Sequence, residues 1–182
     1  MPATPRATDV VEHEVRVAAR PEIVFSYFTD PARMVQWMGA EATLDPRPGG
    51  VCRIAFQPPP ALAGVLDATF GHEQERALER LGPNAPRVMT GEFVEVVPHR
   101  RIALTWGWEQ DLYAVPPQST AVEISLTPDG ESTILHLTHR RLPTRAVPLH
   151  TGGWQHYLPR LAIAAGGGDP GSDPWQAVGI TA

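Results

Sequence analysis

The sequence predicts an α+β domain in which an antiparallel sheet is followed by one long C-terminal helix. Seven segments read as strands, most of them rich in Val, Ile, Thr and aromatic residues, and the clearest of them alternate apolar and polar residues as half-buried strands do. The later segments follow one another through turns such as Pro98-His99 and Pro128-Asp129-Gly130, whereas a parallel sheet would need a helix in each connection. Helical signals cluster in residues 21–39 and again from about 144 to 165.

VEHEVRV (11–17) alternates strictly, with Val11, His13, Val15 and Val17 on one face, and reads as the first strand. Pro21 suits the first turn of a helix, where its missing N–H costs nothing, and Val24 and Phe28 share a face at i, i+4. Asp30-Pro31 ends that helix and starts another, with Asp30 as N-cap and Pro31 at the first helical position. Two strands follow around a Pro-Gly turn within residues 42–57. Residues 58–87 break the rhythm: QPPPALAGVLDATF reads as loop and GHEQERALERLG as a short helix ending at Gly82. A connection of this length is uncommon in a compact meander, so it is a tolerated insertion, a lid or a dimer contact. Strands at 88–97, 100–108, 119–127 and 132–139 complete the sheet.

With 182 residues the expected organisation is a tail (1–9), one domain (10–165) and a Gly/Pro-rich tail (166–182). A net charge of −5 opposes a broad basic surface, and no apolar run approaches a membrane span, so neither nucleic acid nor membrane is an expected partner. All 15 basic residues are arginine, which excludes lysine Schiff-base chemistry and the lysine-containing phosphate loop. The single cysteine, Cys52, cannot form an intrachain disulfide. The start MPATPRATDV has neither a basic nor an apolar leader segment, so a cytoplasmic location is expected.

PEIVFSYFTDPARMVQWMG, DPRPGG, GEFVEVVPHRRIALTWGW, STILHLTHRRL and HTGGWQHYLPRL, in that order, resemble the SRPBCC (START-like) superfamily. Within it they are most similar to proteins named after the activator of the ninety-kilodalton heat-shock chaperone's ATPase. The resemblance covers roughly residues 10–165, apart from the 58–87 insertion. It implies a helix-grip fold: a curved antiparallel sheet wraps the long helix, and two short helices between the first two strands form a V-shaped support closing one end. It also implies three function classes. These are binding of a hydrophobic or amphipathic small molecule; a cyclase, dehydratase or hydrolase-type enzyme; and a chaperone-interacting domain. The third is weakened because the family's namesake joins this domain to a second.

In the C-terminal helix, Trp154, Leu158, Leu161 and Ala165 form one stripe, with His150 a turn earlier. Gly152, Gly153 and Pro159 oppose that helix by about 1 kcal/mol per glycine and about 3 for the proline, so packing must hold it. The glycines are expected to permit close packing, with room for a ligand as the alternative. The candidate ligand-binding set is Trp37, Leu104, Trp106, Trp108, Leu137, His139, His150, Trp154 and Tyr157, an apolar and aromatic lining with a few polar groups. Each tryptophan taken singly also reads as core.

His139 and His150 are the candidate catalytic residues, as general acid or base near neutral pH, with satisfied structural histidines as the competing reading. A metal would need a third ligand, and no spacing supports Cys52, Glu92 or Glu95 in that role, so no metal or other cofactor is expected. Cys52 reads as a core thiol, and EQERALER as a solvated helix face. A homodimer or a protein partner stays open.

Overall fold

The computed structural model describes residues 9–57, 63–82 and 84–176. The strands are β1 (Asp9–Val17), β2 (Glu41–Leu44), β3 (Val51–Phe56), β4 (Arg87–Val97), β5 (Arg101–Trp106), β6 (Thr120–Asp129) and β7 (Ser132–Leu142). They form one antiparallel sheet in the order β1-β7-β6-β5-β4-β3-β2. From β2 to β7 the chain is the expected meander, and β1 closes onto β7, with His13 opposite Leu137 and Val17 opposite Thr133. Alternation sets the buried face: Ile102, Leu104 and Trp106 of β5 face inward with Leu135, Leu137 and His139 of β7. The curved sheet grips helix α4 (Val147–Ala165), whose His150, Trp154, Leu158, Leu161 and Ala165 are all buried, as the helical spacing predicts.

Helices α1 (Pro21–Thr29) and α2 (Pro31–Met34) meet at Asp30. Its carboxylate accepts the Ala32 N–H at 2.8 Å, and Pro31 takes the first helical position. The Tyr27 hydroxyl donates to the Ala164 carbonyl at 3.0 Å, tying this support to the end of α4. Asp30→Ala removes the cap of a one-turn helix and is expected to lower stability by about 1 kcal/mol, read as a shift in urea midpoint with unchanged slope.

Three expectations need correction. Residues 63–70, read as loop, are helical: α3 runs Ala63–Leu81 with a break at Gly71, whose φ of 70° interrupts two helical segments. Phe70 is buried against Tyr113, with ring centroids 5.7 Å apart, a long-range contact that local propensity does not reveal. The helix ends at Gly82 as expected, in the left-handed region at φ 89°. Residues 58–62 and 83 of the insertion lie outside the described residues, as do 1–8 and 177–182 of the tails.

The second correction concerns Gly152 and Gly153, where a methyl group would meet no atom within 4 Å, so they do not mediate close packing. Gly152 lies two residues from both His150 and Trp154 and faces away from the sheet. Gly153 flanks the buried stripe beside open space. Third, β5 ends at Trp106, and Trp108 keeps only a single bridge to Met89.

The stretch after Gly166 folds back along α4 as far as Gln176. Arg160 donates to the carbonyls of Pro170 and Gly171 at 3.2 and 2.8 Å. Trp175 stacks on His156 at 4.0 Å, and His156 Nε2 lies 2.7 Å from Asp173.

Candidate functional site

The inner face of the sheet and the first turns of α4 bring together five of the predicted site residues: Trp106, Trp108, His139, His150 and Trp154. Trp106 is the hub, with ring centroids 5.2 Å from Trp154, 5.7 Å from His139 and 6.1 Å from Trp108. The two imidazoles meet edge to face at 5.1 Å. Strand alternation puts Trp106 and His139 on this face. Trp108 follows Gly107, where a side chain would collide with the Pro116 carbonyl.

Hydrogen bonds fix both histidine tautomers. Trp154 Nε1–H donates to His139 Nδ1 at 3.2 Å, so the His139 proton sits on Nε2 and is donated to Thr120 Oγ1 at 2.8 Å. Thr120 in turn donates its hydroxyl proton to the Trp106 carbonyl at 2.8 Å. Trp108 Nε1–H donates to His150 Nε2 at 3.2 Å, and His150 Nδ1–H donates to the Ala146 carbonyl at 2.8 Å. All four imidazole nitrogens are therefore engaged.

Burial holds His139 well below the ordinary histidine range, with His150 as the secondary cause. Burial likewise lowers His150 to about 4, against a smaller opposing effect of its bond to Ala146. Both rings are neutral at pH 7. To accept a proton from a ligand, either must first release a tryptophan N–H.

One polar atom in the cluster is unanswered. Trp106 Nε1 is buried and has no hydrogen-bond partner. An unpaired buried donor costs about 1–3 kcal/mol, so its persistence in an otherwise saturated network is notable.

The remaining predicted residues sit around this cluster or apart from it. Leu104 and Leu137 are buried on β5 and β7, the strands that carry Trp106 and His139. Tyr157 packs on Phe56 at 5.7 Å, and its hydroxyl accepts from Gln176 Nε2 at 3.0 Å. Trp37 belongs to the helical support: it meets Phe28 edge-on at 5.3 Å and gives its N–H to the Tyr27 carbonyl at 3.1 Å. Cys52 is buried in the sheet and its thiol is pushed up to about 12, the state of an unreactive core cysteine. Among the described residues, no three His, Cys, Asp or Glu side chains converge as a metal site would require.

Sequence reasoning missed Thr120, Phe56 and Tyr113. Thr120 was recoverable, since period two from Val122 and Ile124 places it inward. Tyr113 was not, because it lies in the irregular turn Glu109–Ala114, where Gln110, Asp111, Tyr113 and Ala114 adopt positive φ.

The family model described as Activator of Hsp90 ATPase homolog 1-like protein matches residues 18–61 and 78–166. The chain belongs to that family. The gap in the match falls on the 58–87 insertion, so most of α3 is an addition to the AHSA1-like pattern. An AHSA1-like protein from Rhizobium etli is 36% identical, with 95% of this chain and 91% of that one covered and a TM-score of 0.61. DynU16, a protein in the dynemicin biosynthetic locus, is 23% identical with a TM-score of 0.66; 92% of this chain is covered, which spans 51% of DynU16. A protein from Chromobacterium violaceum is 21% identical with a TM-score of 0.65, covering 86% and 96% of the two chains. The last two likenesses show the helix-grip fold alone. No curated protein matches. Among the described residues, no helix of this AHSA1-like chain is long and apolar enough to cross a membrane.

Proposed function

We propose that this AHSA1-like protein binds a largely apolar small molecule carrying one hydrogen-bond acceptor, at the interface between the sheet and the start of α4. The observation that carries the reading is the unanswered N–H of Trp106 inside an aromatic cluster whose other polar atoms are paired. Small-molecule sites are mostly apolar with few placed polar groups, and a carbonyl or ether oxygen at Trp106 supplies the missing partner. Binding is favoured over turnover because His139 and His150 are neutral and fully engaged.

Acetophenone and ethylbenzene, nearly the same in shape, test the acceptor directly through tryptophan fluorescence. The ketone is expected to bind about fivefold more tightly to the native chain, and Trp106→Phe is expected to erase the difference. Equal affinities for ketone and hydrocarbon in the native chain would remove Trp106 as the recognition group.

A further inference from the structure

A second concave surface lies on the far side of Tyr113, between α3, the turn Glu109–Ala114 and Arg145. Its volume is about 440 Å³, within the range of small-molecule sites. Arg76 and Arg80, one helical turn apart on α3, line it together with Arg145. Among the described residues, none of the three makes an ion pair. Glu73 and Asp111 also line the cleft, so three cations face two anions there, in a chain whose net charge is −5.

The floor supplies an independent observation. Gln74 is only 4% exposed, and its Oε1 accepts the Tyr113 backbone N–H at 2.8 Å. Because a backbone N–H can only donate, that bond fixes the amide orientation and makes Nε2 the free end. Gln74 Nε2 is buried without a partner. A buried amide donor beneath unpaired guanidinium groups is the donor set that recognises an oxyanion. Phe70, Ala77 and Ala114 provide the apolar part of the lining.

We propose that this cleft binds a small organic oxyanion, a carboxylate or a phosphate monoester, with its charged end on Arg76, Arg80, Arg145 and Gln74 and its apolar end on Phe70, Ala77 and Ala114. The site is separate from the aromatic cluster and does not depend on a ligand there.

Calorimetric titration of the full chain with octanoate, octyl phosphate and neutral octanol tests it. At least one oxyanion is expected to bind, with octanol at least tenfold weaker, and whichever oxyanion binds tighter identifies the source of the charge. Arg145→Gln and Arg76→Gln replace exposed side chains, so folding should persist, and each is expected to weaken oxyanion binding roughly tenfold. Added salt should weaken it further. The inference is overturned if neither oxyanion binds, if octanol binds equally well, or if the arginine variants keep native affinity. Oxyanion binding that disappears in Trp106→Phe but survives in the arginine variants would place the ligand in the aromatic cluster, sinking this inference while leaving the earlier reading intact. Equal affinities for acetophenone and ethylbenzene in the native chain, with oxyanion binding retained, would do the reverse.

Discussion

Between pH 6.5 and pH 4 the chain is expected to lose about 3 kcal/mol of stability through His150 alone, as its pKa falls from 6.5 to about 4 on folding. The sign follows from which state binds the proton first. In the unfolded chain His150 protonates as the pH drops through 6.5, whereas in the fold it stays neutral until about 4. The unfolded state therefore holds more protons across this window, and stability falls as the pH falls. Above 6.5 the contribution is flat, and below 4 it adds no further slope. His139, also held low and facing His150 at 5.1 Å, acts in the same direction, since protonating one ring opposes protonating the other.

Urea midpoints at pH 7.5, 5.5 and 4.5 measure the effect. His150→Gln, which cannot charge, should flatten the dependence. An unchanged acid slope in both His150→Gln and His139→Gln would show that other groups dominate acid unfolding and that the rings are not held neutral by burial.

Trp154→Ala is expected to cost about 3–5 kcal/mol, a large share of the roughly 5–15 kcal/mol that stabilises a typical domain. Trp154 is 4% exposed, packs on Trp106 at 5.2 Å and supplies the N–H to His139 Nδ1. Removing it leaves a cavity against Trp106 and an unpaired buried acceptor, two penalties at one position. Added indole should refill the space and recover part of the lost melting temperature, as apolar cavities accept matching ligands. A loss below about 1 kcal/mol would mean that α4 is not sealed onto the sheet at this point.

Both effects arise where α4 crosses the sheet, the part of the molecule most legible in the sequence. Strict alternation in β1 and β7 and the His150–Trp154–Leu158 spacing in α4 select the buried faces before any coordinates are known, and the site inherits those faces. Trp37 shows the limit of that reasoning: it is as apolar and as buried as the others, yet its contacts are with Phe28 and Tyr27. Burial follows from pattern, whereas neighbourhood depends on how the elements pack. Residues 63–70 failed for a related reason, since their helix lies against a turn more than forty residues later in the chain.

The sequence by itself determined the strand and helix periods, the break at Asp30-Pro31, the family and the inward placement of Trp106, His139, His150 and Trp154. These rest on local sterics, on side-chain direction and on hydrophobic faces that must be buried. Only the tertiary structure decided that both imidazoles are saturated by two tryptophans, a threonine and a carbonyl, that Trp106 keeps an unanswered N–H beside them, and that Gln74 and three arginines share one cleft. Those outcomes depend on angles and distances of a few ångströms between distant segments, and a hydrogen bond exists or fails on that scale.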